Sequence, residues 1–201
     1  MKQRKDPLRL GVLLSGGGTT LENFFTHIDE GRLDAVVSVV VSSNPNAYGL
    51  VRAQRRLVPH FVVSRKQYGS TGSFSDGITR LLQRAGTELV LMAGFLQLYR
   101  IPAWFEGRVM NIHPALIPKY CGKGFYGHHV HEAVVAAGET ESGCTVHFAD
   151  NEYDHGPIIV QRRTAITPGD TADDVAAKVF REECIAYPEA IRMFIQGEIG
   201  R

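Results

Sequence analysis

The chain has little of what marks an extracellular, membrane or nucleic-acid protein. Cysteine is scarce: Cys121, Cys144 and Cys184 are an odd, widely spaced set. That excludes a disulfide framework and suits a reducing compartment, the cytoplasm. No apolar stretch approaches the length of a membrane span. The apolar run Leu8–Leu14 behind the basic start Met1-Lys-Gln-Arg-Lys-Asp6 is short, lacks a small-residue cleavage site, and does not read as a signal peptide. Charge of one sign is also missing. Lys and Arg number 22 against 21 Asp and Glu, a formal net charge of +1, so broad binding to nucleic acid or to a membrane surface is not expected. What the chain has in excess is glycine, 21 of 201 residues. Glycine is favoured where the backbone turns sharply or approaches a ligand. The 44% hydrophobic content and the length predict one domain with one sizeable core, residues 1–201.

The hydrophobic pattern predicts alternating strands and helices. Leu8–Leu14 and Ala35–Val41 read as strands buried on both faces. Shorter strands are expected at His60–Val63, Glu88–Ala93 and Val109–Ile112. Helical spacing covers Thr20–Ile28, Ala47–Leu57 and Ile78–Ala85. Tyr68–Ser75 reads as a weakly ordered small-residue loop. This alternation predicts an α/β fold, a mainly parallel sheet with helices on both faces. After residue 112 the pattern changes. A Pro/Gly-rich loop spans 114–128, longer than most connections and therefore a candidate functional loop. A helix at His131–Ala137, strands at Cys144–Phe148 and Ile158–Arg162, and a long C-terminal helical region follow. Thr171-Ala-Asp-Asp174 predicts a capping box, and Pro188 predicts a kink or a split.

Four groups of residues invite chemistry. Ser15-Gly-Gly-Gly-Thr-Thr20 joins the first strand to the first helix, where exposed amides and the helix dipole suit a phosphate; the alternative is a tight turn that binds nothing. It lacks the lysine of a P-loop and the third glycine of a dinucleotide fingerprint. Asn111 and His113, two apart at a strand end, should project together as amide and imidazole donors able to stabilise an oxyanion; loop-satisfying roles are equally open. Asp150–Pro157 is an acidic turn from which a carboxylate can hold a histidine charged, or simply meet solvent. His128, His129 and His131 with Cys121 raise a metal site, but the spacing matches no zinc motif, and no metal is expected. Cys144 and His147 fall in an apolar strand and read as core residues.

Asn111-Ile-His-Pro-Ala-Leu-Ile-Pro-Lys-Tyr120 closely resembles the signature of the folate-dependent formyltransferases, and Lys119-Tyr120 that of their phosphoribosylglycinamide formyltransferase branch. The resemblance runs through Ser15–Leu21, Met92–Leu98, Ser142–Phe148, Tyr153–Ile158, Gly169–Asp174 and Glu183–Pro188. It implies a Rossmann-like formyltransferase fold, with a phosphate-binding half at about 8–110 and a catalytic and folate-binding half at about 111–201. It implies transfer of a formyl group from 10-formyltetrahydrofolate to the amine of glycinamide ribonucleotide in purine synthesis, by a monomer or homodimer with no metal. Asn111 and His113 would stabilise the oxyanion, and Asp154 would keep His113 cationic. Gly17, Gly18, Thr19 and Thr20 would hold the substrate phosphate, and Glu183 would contact the substrate near its amine or ribose. Arg65, Leu96, Gln97, Leu98, Tyr153 and His155 would meet the folate. The family commonly has Asn at Thr20, Arg at Gln97 and Gly at His155, and it lacks the insertion around 123–127.

Two alternatives accompany this reading. One is a relative acting on another amine, or a 10-formyltetrahydrofolate hydrolase, whose extra domain the 201 residues would not accommodate. The other is a silent phosphate- or folate-binding protein.

Overall fold

The computed structural model describes residues 6–200; the basic segment Met1–Lys5 lies outside them. Among the described residues, seven strands form one sheet. They are β1 (Leu8–Leu14), β2 (Ala35–Ser42), β3 (His60–Val62), β4 (Leu89–Met92), β5 (Val109–His113), β6 (Glu141–Phe148) and β7 (Ile158–Ala165). Their order is β3-β2-β1-β4-β5-β6-β7. The first five run parallel, and β6 and β7 extend the sheet antiparallel.

The strands form where valine and leucine are densest, because both faces of the parallel part are covered. On β1, Leu8, Leu10, Val12 and Leu14 enter the core beneath α1 (Thr19–Asp29), α2 (Tyr48–Arg55) and α5 (Ala172–Gln196). Leu13 joins Val39, Val41 and Val90 on the opposite face, under Phe74, Ile78 and Leu82 of α3 (Thr71–Arg84). A shorter helix, α4 (His128–Ala136), follows the long loop after β5. None of the described helices is long and apolar enough to cross a membrane.

One local expectation is overturned and another is narrowed. The segment 68–75 is largely helix: α3 begins at Thr71, where Ser70 Oγ accepts from Ser73 N–H at 3.1 Å and Ser73 Oγ–H reaches back to the Ser70 backbone. Hydroxyls that weaken a helix interior stabilise its first turn, so a serine-rich stretch was the start of a helix. Pro188 does not split α5, which is one helix from Ala172 to Gln196. The carbonyl that Pro188 cannot bond is that of Cys184, four residues back. Asn23 of α1 donates its side-chain N–H to that carbonyl at 2.9 Å, supplying the missing partner. The capping box at Thr171–Asp174 is present as expected, with reciprocal bonds of 3.2 and 2.9 Å.

Candidate active site

The chain leaves β1 toward β2 on one side of the sheet and later returns to β4 on the other. Loops after such a pair diverge and leave a crevice at the carboxyl ends of the strands. A cleft of ≈ 530 Å³ lies there, lined from several elements. Thr20, Leu96, Gln97, Leu98, Asn111, His113, Tyr153, Asp154 and Glu183 all line it, although they span more than 160 residues of sequence.

At one side, next to the lining residue Thr20, is the glycine turn, whose Gly17, Gly18 and Thr19 do not themselves line the cleft. Gly18 is the N-cap of α1 in the left-handed conformation (φ 70°), and no side chain caps the helix. The first-turn amides of a helix have no partner within it, so they face outward here. A Cβ on Gly18 would meet the Gly49 backbone at 2.6 Å, whereas one on Gly16 or Gly17 would meet nothing. The turn is pinned from behind. Asn44 Nδ2 donates to the Ser15 carbonyl (3.2 Å), Gly49 N–H to that of Gly16 (3.1 Å) and Arg52 Nε to that of Gly17 (3.0 Å). Ser15 Oγ also accepts from the Leu96 N–H at 3.0 Å, which ties the turn to the 94–98 segment. The carbonyls are thus engaged at the back, leaving the turn to present N–H groups, the arrangement an anion needs.

At the other side, β5 and β6 place three polar side chains against one another. Asn111 and His113 point to the same side, as alternation requires, and pair across the ladder with His147 and Thr145. Asn111 Nδ2 donates to Asp154 Oδ1 at 3.2 Å and lies 3.1 Å from His147 Nε2. His147 Nδ1–H donates to the Phe148 carbonyl at 3.0 Å, so Nε2 is the acceptor toward Asn111. His113 Nδ1 sits 3.4 Å from Asp154 Oδ2, and its Nε2–H donates to the Tyr120 carbonyl at 2.7 Å. Gly122 N–H donates to Asp154 Oδ2 at 3.0 Å. Asp154 itself has a left-handed backbone (φ 53°), within a turn held by Asp150 Oδ1 accepting from Glu152 N–H (2.8 Å). Asn151 Oδ1 accepts from Ile101 N–H (2.8 Å), fixing the turn to the neighbouring loop. Gly156 is required there, since a Cβ would meet the Phe148 carbonyl at 1.9 Å.

Burial pushes the Asp154 carboxyl up, but the nearby His147 and His113 and the Gly122 N–H outweigh it and hold the group below its usual range. His113 comes out the other way from the expectation that Asp154 keeps it cationic. Both ring nitrogens face acceptors, which favours the charged form, but burial is the larger effect and holds the imidazole below its ordinary value. Glu183, on α5, makes no hydrogen bond or ion pair among the described residues, and desolvation raises its carboxyl to about 7.

Some expected residues lie elsewhere. Arg65 and His155 do not line the cleft: Arg65 NH1 donates to the Tyr68 carbonyl at 2.7 Å, and His155 pairs with Asp150 at 2.8 Å. The histidine cluster divides. His128 bridges Glu132 and Asp173, His129 meets Glu132, and the buried His131 lines the cleft with its Nδ1 unpartnered. Among the described residues no three such side chains gather as metal ligands. Three contributors escaped the sequence reading. His147, expected to be a plain sheet residue, stands behind Asn111 because of the β5–β6 register, which no local pattern reveals. The Tyr120 carbonyl and the Ser15 hydroxyl act through backbone contacts.

Residues 8–191 match the family described as formyl transferase. The chain is 34% identical over 193 residues to phosphoribosylglycinamide formyltransferase of Haemophilus influenzae, covering 95% of this chain and 89% of that one. It is 38% identical over 193 residues to the trifunctional purine biosynthetic protein adenosine-3 of Drosophila melanogaster, of which it spans 14% while 94% of this chain is covered. The crystal structure of glycinamide ribonucleotide transformylase 1 from Symbiobacterium toebii superposes with a TM-score of 0.90 at 37% identity, covering 98% of this chain and 92% of that one.

Proposed function

The chain belongs to the formyl transferase family, and from that premise we infer that it transfers a formyl group to the primary amine of glycinamide ribonucleotide, a step of purine synthesis, with 10-formyltetrahydrofolate as donor. The observation that carries the reading is the meeting of Asn111, His113 and Asp154 at one wall of a cleft that Thr20, beside the glycine turn, also lines. Such a cleft suits a reactant with a phosphate at one end and a reacting amine at the other. The apolar side chains of Leu96, Leu98 and Tyr153 along it suit the aromatic rings of the donor.

In this reading the phosphate lies on the amides of Gly17 to Thr20, held by the helix N-terminus. Glu183, once ionised, receives the substrate near its amine or ribose and takes the extra proton of an arriving ammonium, leaving the neutral amine. The amine nitrogen attacks the formyl carbon, and the carbonyl oxygen takes up negative charge. Asn111 and His113 are the donors for that oxyanion once it displaces the Asp154 carboxylate from Asn111 Nδ2 and the Tyr120 carbonyl from His113 Nε2. The proton lost by the amine passes by way of Asp154 to His113. The imidazolium thus forms as the oxyanion forms. An imidazole that is reluctant to be charged beforehand stabilises the transition state more than the ground state. Collapse breaks the bond from the formyl carbon to folate N10, which takes the proton. The products are the formylated amine and tetrahydrofolate. His147 orients Asn111, and the Tyr120 carbonyl fixes the ring of His113.

The test is to follow 10-formyltetrahydrofolate with and without glycinamide ribonucleotide. Tetrahydrofolate is expected only when the ribonucleotide is present. Formate released without it would make the protein a hydrolase, and binding of both molecules with no turnover would make it a silent binding protein.

A further inference from the structure

The acceptor in the reaction above is held at two ends. Its phosphate rests on the turn before α1, and its amine end comes to Glu183 of α5. The two ends are therefore set by two helices from opposite ends of the chain. A reactant of one length is favoured only where α1 cannot slide along α5, because the reacting amine must arrive within a fraction of an ångström.

Leu21 and Phe24 of α1 share one apolar cluster with Val179, Ala186 and Tyr187 of α5. Phe24 and Tyr187 are fully buried and meet edge to face, 5.1 Å between centroids. Such packing holds the helices together but is non-directional. The directional contact is the bond from Asn23 Nδ2 to the Cys184 carbonyl at 2.9 Å, among the described residues the single hydrogen bond between α1 and α5. Both of its ends stand beside the cleft. Asn23 lies about one turn beyond Thr20, and Cys184 directly follows Glu183; Thr20 and Glu183 line the cleft. The acceptor exists because of Pro188. In an unbroken helix the Cys184 carbonyl would take the N–H of residue 188, and proline has none. A carbonyl is thereby released at the turn that carries Glu183. Tyr187, on the same stretch, donates its hydroxyl to the Met110 carbonyl at 2.8 Å, directly before Asn111. This part of α5 is thus fastened to α1 on one side and to β5 on the other.

We propose that Asn23 is a positioning residue that sets the span between the phosphate-binding turn and Glu183, and so selects the ribonucleotide by its length. The proposal rests on the acceptor assigned above and adds the contact that measures it. Pro188 is part of the arrangement, because it frees the carbonyl that Asn23 bonds. A ligand that touches both ends responds to the span, whereas one that touches only the turn does not.

Steady-state kinetics and melting curves of Asn23→Ala, Pro188→Ala and the double variant decide the matter. Loss of one hydrogen bond in Asn23→Ala is expected to raise the ribonucleotide KM about fivefold and to lower Tm, with the donor KM unchanged. Inorganic phosphate, which meets only the turn, should inhibit Asn23→Ala and the parent with the same Ki. The parent should prefer the ribonucleotide over an analogue whose glycyl chain is one methylene longer, and Asn23→Ala should narrow that preference. In the double variant the backbone N–H restored at position 188 can bond the Cys184 carbonyl. Its Tm should then return toward that of Pro188→Ala while the raised ribonucleotide KM remains. A KM that recovers together with Tm overturns the proposal, because Asn23 would then serve only to satisfy a carbonyl. A phosphate Ki that rises as much as the KM overturns it too, and assigns Asn23 to the shape of the turn. An unchanged ribonucleotide KM in Asn23→Ala overturns it while leaving the enzymatic reading in place. Should Pro188→Ala fail to fold, the phosphate comparison decides alone. If the parent protein transfers no formyl group, the functional reading falls and this proposal with it.

Discussion

The two walls of the cleft are built in opposite ways. The glycine turn has almost no side chains: in the proposed reading an anion rests on backbone amides at the start of α1, in a turn whose carbonyls are held by Asn44, Gly49 and Arg52. The β5–β6 wall is all side chain. His113 and His147 are buried, Asn111 and Asp154 partly so, and the four lie against one another. The difference follows from the charges each must meet. A phosphate is anionic before, during and after the reaction, so uniform binding by a rigid backbone is enough. An oxyanion exists only in passing, and donors held in a low-dielectric pocket act on it most strongly. Substitutions on one wall should therefore appear in KM and on the other in kcat.

The largest effect is expected from His113→Ala. Removing one oxyanion donor should lower kcat by about 10²–10³, with the ribonucleotide KM little moved and circular dichroism unchanged. A kcat near that of the parent would erase the contrast between the walls. Gly18→Ala probes the opposite wall. It forces a Cβ into left-handed backbone, which costs about 1–2 kcal/mol, and toward the Gly49 Cα at 2.6 Å. The expected result is a lower Tm and a higher ribonucleotide KM, with kcat less affected than in His113→Ala; an unchanged KM would detach the turn from the phosphate.

The smallest effect sharpens the comparison by pH. Glu183 is raised from 4.5 to about 7, so the folded protein holds a proton that the unfolded chain gives up. Folding is favoured by this group below 4.5, and the contribution is lost as pH rises through about 7. Glu183→Gln should therefore gain in Tm over the parent as pH rises across that window, and match it in acid. The ribonucleotide KM of the parent should fall through the same window as the carboxylate forms, and that of Glu183→Gln should not. Parallel melting curves at all pH values would place the carboxyl in solvent rather than in the cleft.

The strands of the parallel half could be read from the sequence because a strand covered on both faces is a continuous valine and leucine run, as in Ala35–Ser42. The Asn111/His113 pair was legible for a similar reason, since alternation alone sets two residues side by side. Arg65 and His155 were misplaced relative to the cleft because nothing local says that a nearby carbonyl or carboxylate will claim them. The serines of 68–75 carried a capping signal that looks like a loop signal, and only the bond from Ser73 N–H to Ser70 Oγ tells them apart.

What the sequence determined by itself was therefore whatever follows from periodicity and short-range geometry: the α/β alternation, the glycine turn before the first helix, the donor pair at the end of β5, and the family signature. The tertiary structure decided what depends on distant neighbours. Asn23 carries α5 past Pro188 by bonding the Cys184 carbonyl, 161 residues away in the chain. The β5–β6 register sets His147 behind Asn111. Burial, which overrides a facing carboxylate at His113 and lifts Glu183 in the cleft, belongs to the whole fold, because a titrating group responds to the solvent that packing removes.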